Sequence, residues 1–439
     1  MAKFEDYPVA DLLNGSEVIV LSRNGVTYQA TVNDITGGAP SAAGIYPDVP
    51  INYVEIKRFA GQASTTVVLS GNLSMLDKII ATAFPCTIDR NARIVSYLNG
   101  NDVRKTADGL AAVLDDWSQP AMVRVGGIWM RYFYNAQTNE KVFRFSTRKV
   151  YGYKYKRRRF LNMFGGCVEN HDGKNMLLSN SDKWTTQSVS LQNFHAYAKN
   201  LGENFREIAT QDRELYRFYF WLMELTFNSQ SVFTGISNAN STWWQKLNRT
   251  EDGGQASYGQ FHKTGITNTI QGHKGELEIT VNNGESDLLV KPCKWLWREN
   301  MLSGPYFIWE TGYLKVGGIW YKANNINTNV SWDVTDGNWT ELCPECETAG
   351  YILEDYADTL IPSMVGASAT TGHADYYWRA DNPTAKYCPA GVGYANGGSL
   401  DGGSVLDSHD SVSDTYTNFG GALASDDPTD PTPDGTLAI

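Results

Sequence analysis

The sequence predicts an α+β fold in which short β-strands outnumber helices. Apolar and polar residues alternate strictly over residues 26–32, which is typical of a half-buried strand. Residues 212–227 place Leu215, Phe218 and Leu222 on one face of a helix. Most of the remaining segments are short, β-like and separated by glycine, asparagine or aspartate, so we expect several strands packed around a few helices.

The N-terminal residues 1–40 are predicted to form a small β anchoring unit. Residues 17–22 and 26–32 read as two strands joined by Asn24-Gly25, the strongest signal for a two-residue hairpin. A lone hairpin is too small to be stable. It would therefore pair with another copy or dock on a partner, although it could also be the first hairpin of the main domain.

Three further regions follow. Residues 41–75 are predicted to be a linker and stem, because 36–44 are rich in glycine and small residues and 51–70 are β-rich. Residues 76–424 form the main domain, with a second helix over 192–201 and a long irregular loop over 237–268. The acidic, proline-rich residues 425–439 are predicted to be a disordered tail.

The charge balance argues against nucleic acid and against anionic membranes as partners. Lysine and arginine number 37 against 48 aspartates and glutamates, a net charge of −11. The basic run at 154–159 alternates with tyrosines and reads as a solvated strand face. No segment approaches the ~18 apolar residues of a membrane span, and the start of the chain is too polar for a signal peptide. We expect synthesis in a cytoplasm and no membrane insertion.

The sequence contains no strong catalytic motif, so the protein is not expected to be an enzyme. It has no Gly-x-Ser-x-Gly elbow, no phosphate loop and no His-Glu-x-x-His, and its six histidines are scattered. Acidic pairs such as Glu299 with Glu310, or Asp333 with Asp336, could serve as glycosidase carboxylates. Among 48 acidic residues, such pairs also arise by chance.

The six cysteines are too few for a disulfide scaffold in a chain of 439 residues. Cys343 and Cys346 have the spacing of half a zinc site. No second Cys-x-x-Cys completes it, and Cys388 and His373 would contribute only if the fold brought them close. Free thiols are the preferred interpretation, and neither a metal nor a cofactor is predicted.

Five segments together resemble receptor-binding tail proteins of phages from gut bacteria, of the kind that carry a C-terminal C-type-lectin-like domain diversified by a retroelement. The matching segments, in chain order, are 93–102 (RIVSYLNGND), 121–134 (AMVRVGGIWMRYFY), the helix and exit at 212–230, Trp297-Arg298-Glu299-Asn300 followed by Trp309-Glu310, and 397–423. Two features depart from the family pattern: the glycine usual between Arg298 and Glu299 is missing, and Gly421 stands where the family often has arginine.

The resemblance implies a large C-type-lectin-like domain with long loop insertions over 76–424. It implies a virion protein of the tail that binds a host-cell surface receptor, protein or glycan, and contacts other tail proteins through its N-terminus. A homo-oligomer is expected, with a trimer favoured. The alternatives are an enzyme on the same fold, either a formylglycine-generating-type oxidase or a glycan hydrolase, and a purely structural tail component. The oxidase would need paired cysteines for copper, and Cys343 with Cys346 lies outside the terminal segment.

The family places its binding residues on the last strands and their loop, which gives a specific set of candidates here. We expect this set to be clustered, partly exposed and anionic, and we expect Trp295, Trp297 and Trp309 to be core residues. The candidate binding residues are Tyr376, Tyr377, Trp378, Arg379, Asp381, Asp401, Asp407, Ser408, His409, Asp410, Ser411, Ser413, Asp414 and Tyr416.

Overall fold

The computed structural model describes residues 52–235, 261–282, 286–326, 331–380, 386–391, 400 and 402–430, together with the backbone of strands 18–23 and 26–31. These residues form 31 β-strands and three α-helices. The structure is therefore mainly β, and the predicted α+β class of a lectin-like domain is wrong. The reason lies in the second half of the chain, where no described residue after Glu224 belongs to an α-helix.

The predicted N-terminal hairpin is confirmed. Strands β1 (Val18–Arg23) and β2 (Val26–Thr31) pair antiparallel, with Arg23 opposite Val26, as a two-residue connection requires. Together they make a two-stranded sheet that pairs with no other described strand. The turn residues Asn24 and Gly25 and the glycine-rich segment 36–44 lie outside the described residues.

A five-stranded sheet opens the main body. Its strands, in spatial order, are β10 (Lys154–Lys156), β8 (Ile128–Asn135), β9 (Glu140–Ser146), β3 (Val54–Phe59) and β4 (Val68–Gly71). The segment predicted as a stem is thus an integral part of this sheet. Helix α1 (Leu73–Ile80) follows, capped by the Asn72 side chain, which accepts the Ser74 N–H.

A six-stranded sheet brings the end of the chain into the core. Its order is β14 (Phe205–Glu207), β31 (Leu423–Asp426), β11 (Arg159–Asn162), β7 (Ala121–Val125), β5 (Phe84–Ile88) and β6 (Ile94–Tyr97). Smaller units complete this half. They are the hairpins β12 (Cys167–His171) with β13 (Lys174–Leu178) and β16 (Ile279–Asn282) with β17 (Asp287–Val290), and the three strands β15 (Lys274–Glu276), β18 (Cys293–Trp295) and β19 (Arg298–Glu299).

Two sheets carry the C-terminal third of the chain. The seven-stranded sheet has the order β25 (Pro362–Val365), β24 (Gly350–Asp355), β26 (Tyr376–Arg379), β29 (Leu406–Ser408), β28 (Ala390–Gly391), β20 (Phe307–Trp309) and β30 (Phe419–Gly420). The four-stranded sheet has the order β23 (Trp339–Pro344), β22 (Ile319–Ala323), β21 (Tyr313–Val316) and β27 (Lys386–Tyr387).

Both predicted helices are present, as α2 (Leu191–Leu201) and α3 (Thr210–Glu224). Helix α3 is buried on its charged face as well as on its apolar one. Its charges are tolerated there because each has a partner: Arg213 pairs with Glu310, and the Tyr313 hydroxyl donates to Glu214 at 2.7 Å. In the described part of the chain, no helix has the length and the apolar character needed to cross a bilayer.

The predicted core tryptophans are mostly confirmed. Trp295 and Trp309 are buried, and Trp297 is half-buried, with its indole N–H donating to the Gly100 carbonyl at 2.7 Å. Because a buried indole N–H needs an acceptor, this bond fixes the orientation of the Trp297 ring.

The acidic C-terminal segment is ordered as far as Asp430, so the predicted disorder is wrong for residues 425–430. Strand β31 pairs with β11 and β14, and the Asp427 carboxylate lies 3.0 Å from Arg124 Nε. Asp430 accepts hydrogen bonds from the Tyr155 hydroxyl at 2.6 Å and from the Arg158 N–H at 3.0 Å. The basic run at 154–159 is therefore not simply a solvated face, because acids from the end of the chain neutralise part of it. Residues 431–439 lie outside the described residues.

Candidate functional site

The seven-stranded sheet brings the two main segments of the predicted site together. Strands β26 and β29 run parallel to each other, with Trp378 opposite Asp407 and Arg379 opposite Ser408. On the other side of β29, Ala390 of β28 faces Asp407. The expected clustering of residues 376–379 with the segment that starts at Asp407 is therefore confirmed.

The three consecutive aromatic residues of β26 divide between the two faces of the sheet. Tyr376 and Trp378 are half-buried on one face, whereas Tyr377 is fully buried on the other. This follows from the two-residue period of a strand, in which neighbours point in opposite directions. The prediction that Tyr377 is exposed is wrong. The Tyr377 side chain supports the sheet on the face opposite to Tyr376 and Trp378.

Tyr377 belongs to a buried polar cluster centred on Glu345, which the sequence analysis missed. We define the Glu345 cluster as Lys315, Glu345, Tyr377, Arg379 and Ser408. The Tyr377 hydroxyl donates to Glu345 at 2.7 Å, and Arg379 Nε lies 3.3 Å from the same oxygen. Ser408 donates to the Tyr377 hydroxyl and to the Trp378 carbonyl, each at 3.1 Å, and accepts a hydrogen bond from Lys315.

The Glu345 carboxylate lies between two cations, Lys315 and Arg379. Burial opposes ionisation of Glu345, whose side chain is 6% exposed, but the hydrogen bonds from Lys315 and Tyr377 outweigh it and lower the pKa of the carboxyl. Burial also lowers the pKa of Lys315. Removing one member would leave another buried charge without its partner, which is much more costly than the pair itself.

Aromatic rings form a continuous row across this sheet. Tyr351 packs against Tyr376 at 5.4 Å between ring centroids, and Tyr376 packs against Trp378 at 4.9 Å. Trp378 then packs edge-on against Phe307 at 5.5 Å. The row continues from Phe307 to Phe419 at 5.2 Å and from Phe419 to Tyr416 at 5.7 Å. It runs from half-buried rings through a buried centre to an exposed end.

Strand β29 and the loop after it are more buried than expected. Asp407, Ser408 and Asp410 are buried, which corrects the prediction that they are exposed. His409, Ser413 and Tyr416 are exposed, and Ser411 and Asp414 are intermediate. Because two of the three acids are buried, fewer acidic side chains reach the surface than predicted. Among the accessible side chains, we call Tyr376, Trp378, His409, Ser413 and Tyr416 the C-terminal surface; Arg379, Ser411 and Asp414 beside them are also partly accessible.

His409 lies between two of these acids. Its Nδ1 contacts Asp407 Oδ1, and its Nε2 is 3.6 Å from Asp410 Oδ2. The bond to Asp407 raises the pKa of His409. Burial, together with repulsion from Asp407, raises the pKa of Asp410 to about 6. The charge on Asp410 in turn raises the pKa of the Tyr416 phenol.

Backbone hydrogen bonds hold this loop against the scaffold at several points. The Cys388 N–H donates to the Asp410 carbonyl at 3.1 Å, and the Ser188 N–H donates to the Tyr416 carbonyl at 3.1 Å. Within the loop, the Ser411 N–H donates to Asp414 Oδ2 at 2.8 Å. The loop is therefore a fixed part of the surface, which suits a recognition site because little order must be gained on binding.

The segment that leads into β29 is anchored to the central helix. Arg213 of α3 donates to the Val405 carbonyl at 2.7 Å, and the Gly403 N–H donates to the Ser229 hydroxyl at 2.8 Å. The Ser404 N–H donates to Asp375 at 2.7 Å. Burial raises the pKa of Asp375 to about 7. Of the predicted site residues, Asp381 and Asp401 lie outside the described residues.

The carboxylates considered for hydrolysis are engaged in structural roles. Glu299 accepts hydrogen bonds from neighbouring backbone N–H groups. Glu310 pairs with the buried Arg213, with Nη2 and Oε2 3.1 Å apart. Asp333 and Asp336 each accept a backbone N–H two residues along the chain, as turn-forming aspartates do. Each of the four acids therefore has a hydrogen-bond or ion-pair partner within the chain.

None of the six cysteines, all of which lie in the described ranges, forms a disulfide. Cys343 is buried and Cys346 is intermediate. His373, considered as a third zinc ligand, is buried against Asp355, with Nε2 3.1 Å from the carboxylate. In the described ranges, the group with three potential metal ligands close together contains no cysteine.

The chain matches no model of a known protein family, and no curated protein matches it.

Proposed function

We propose that this chain is a non-enzymatic receptor-binding protein of a phage tail, which attaches the virion to a host-cell receptor through the C-terminal surface. The observation that carries the proposal is the partly exposed aromatic row on a sheet whose opposite face is held by the Glu345 cluster. Tyrosine and tryptophan bury a large area on binding and lose little conformational entropy, because each has few rotatable bonds.

The division of the site into a fixed base and an accessible surface supports this function. Tyr377, Ser408 and Asp407 are buried and hydrogen-bonded, while Trp378 and His409, their neighbours in sequence, reach the surface. A rigid scaffold that carries accessible side chains is the usual arrangement of recognition sites. The exposed Tyr416 extends the row towards solvent and offers a ring for stacking on a sugar or for packing on a protein.

The N-terminal hairpin is proposed as the attachment point to the tail. A two-stranded sheet of six-residue strands is marginal in isolation. Docking on another tail protein, or assembly with further copies, would supply the missing pairing and burial. A homotrimer assembled through β or globular contacts is the favoured form, since the sequence has no sustained heptads.

The proposal is tested by binding of the purified full-length protein to a panel of gut bacteria. On a strain that the unsubstituted protein binds, Tyr376→Ala and Tyr416→Ala should each weaken binding by about 30-fold, the equivalent of a hot-spot loss of about 2 kcal/mol. Tyr151→Ala is the matched control, because Tyr151 is also an exposed tyrosine, at 53%, but belongs to a different part of the chain. It should bind normally.

Two results would contradict the proposal. The first is unchanged binding by both surface variants when their melting temperatures are normal. The second is absence of binding to every strain, combined with a C-terminal surface that is inaccessible to antibodies on the intact virion. That combination is what a purely structural tail component predicts.

A further inference from the structure

Asp407, His409 and Asp410 form a compact group of potential metal ligands. Each offers one donor atom, and these atoms lie within 4.8 Å of one another. Asp407 and Asp410 are buried, whereas the His409 side chain is 45% exposed. The group therefore lies at the boundary between the buried base of the site and the C-terminal surface.

The histidine ring is oriented by Asp407. Nδ1 of His409 contacts Asp407 Oδ1, and the same carboxylate oxygen accepts the His409 backbone N–H at 3.1 Å. A proton on Nδ1 directed at a carboxylate leaves the lone pair of Nε2 available. Histidines that bind metals are held in this way, with one nitrogen on the ion and the other donating to a carboxylate.

A second, independent observation comes from Asp410. This residue interacts with the Tyr416 phenol, but its Oδ2 is buried and, among the residues that the structure describes, accepts no hydrogen bond. A buried carboxylate oxygen without a partner is unfavourable. His409 Nε2 lies 3.6 Å from this oxygen, too far for a hydrogen bond. Two donors that are each about 2.1 Å from one ion lie roughly 3.0–3.6 Å apart, for angles of about 90–120°.

We propose that His409 Nε2 and Asp410 Oδ2 bind one divalent transition-metal ion, with zinc as the first candidate. An imidazole nitrogen beside a carboxylate oxygen favours zinc, nickel, cobalt or manganese over calcium and magnesium, which prefer oxygen ligands alone. Asp407 acts as a positioning residue through the histidine ring. The sequence predicts no metal here, because the three residues have no recognised ligand spacing and the turn after β29 brings them together.

Such an ion would keep open coordination positions on its solvent side. Two protein ligands leave at least two positions of a tetrahedral ion for water or an external donor. The open positions give the ion a role that rests on the proposed function. A hydroxyl or carboxylate of the receptor could complete the coordination of the ion. The metal site itself depends only on the three residues and does not require that role.

Calorimetric titration of the chelator-treated, full-length protein with zinc chloride tests the site. We expect saturable binding of one ion per chain. His409→Ala and Asp410→Asn should abolish it, and Asp407→Ala should weaken it by about 10–100-fold. His171→Ala is the matched control, because His171 is another partly exposed histidine, with Nε2 2.9 Å from a Glu169 carboxylate oxygen. It should bind zinc normally. Because His409 is exposed, His409→Ala is expected to fold. Its thermal melt in the presence of chelator checks this.

The outcomes separate the metal site from the proposed function. Absence of saturable binding by the unsubstituted protein, or equal binding by His409→Ala, overturns the site and leaves the Tyr376 and Tyr416 tests untouched. If the unsubstituted protein binds zinc and His409→Ala does not, the site is confirmed. If chelator then leaves cell binding unchanged, the site stands and its role in receptor binding is refuted.

Discussion

Trp309 and Trp378 offer a direct way to separate folding from recognition, because they have the same side chain but different environments. Trp309 of β20 is 0% exposed, stacks on Phe419 with 4.2 Å between ring centroids, and donates its indole N–H to the Val189 carbonyl at 3.1 Å. Trp309→Ala should therefore cost about 3–5 kcal/mol. That is a large share of a typical unfolding free energy of about 5–15 kcal/mol.

Trp378 is partly buried, with ring contacts to Phe307 and Tyr376. A buried aromatic side chain removes about 150–250 Å² from water. Most of that area is already out of water at Trp378, which at about 25 cal/mol per Å² corresponds to roughly 3 kcal/mol of folding free energy. If Trp378 also anchors a receptor, its loss should weaken binding by a further ~2 kcal/mol or more, which is about 30-fold.

Thermal melts and cell-binding isotherms of both variants, measured at a temperature where Trp378→Ala is folded, distinguish the two effects. We expect Trp309→Ala to melt far below the unsubstituted protein, and Trp378→Ala to melt less far below it and to bind about 30-fold more weakly. Normal binding by a folded Trp378→Ala would refute its role as an anchor. A normal melt for Trp309→Ala would refute the assignment of scaffold and surface.

Four further predictions concern the scaffold and the assembly. Because burial raises the pKa of Asp375 to about 7, above its ordinary ~3.9, its contribution to stability is complete below about pH 4 and is lost as the pH rises through about 7. Asp375→Asn should therefore make the melting temperature vary less with pH between these values. A pH profile equal to that of the unsubstituted protein would contradict this. Asp427→Ala should cost about 1–3 kcal/mol, since Arg124 loses a partner at 3.0 Å; a melt equal to that of the unsubstituted protein would show that the pair is dispensable. Deletion of residues 1–38 should leave a folded protein that no longer assembles onto tails, and loss of folding would count against the anchoring role. Light scattering at micromolar concentration should give a trimer, whereas a monomer would oppose the proposed assembly.

Features with local signals could be predicted from the sequence. The hairpin of β1 and β2 follows from Asn24-Gly25 between alternating segments, and the register across that turn needs no information from elsewhere in the chain. Helices α2 and α3 follow from apolar residues at helical spacing, and Ser190 caps the first of them.

Features that depend on distant partners could not be predicted. Residues 425–430 have the composition of a disordered segment, but strand β31 finds partners in β11 and β14. Arg124 and Asp427, about 300 positions apart, form an ion pair that no local pattern indicates. The predicted α+β fold class is wrong for the same reason. The two clear helices are recognisable from local patterns, whereas many short strands form only by pairing with distant segments.

The candidate site shows the same division between local and distant information. Strand β29 lies between β26 and β28, inside the seven-stranded sheet, so both of its edges are paired. Asp407 and Ser408, whose side chains point to opposite faces of the sheet, are both buried, although their composition is typical of an exposed loop. The sequence could predict that these residues lie beside β26. Which of them reach solvent depends on what packs against each face of the sheet.

Hydrogen bonding, more than position along the chain, then decides which parts of the site are free to take part in recognition. Ser408 contacts Tyr377, Lys315 and the Trp378 carbonyl, so changing it disturbs several buried polar groups at once. The side chains of Ser413 and Tyr416 lie in the same loop, but they are exposed and the backbone around them is anchored independently. Substitutions at such outward positions alter the surface while the Glu345 cluster stays intact. Such substitutions are therefore expected to change the surface without loss of the fold.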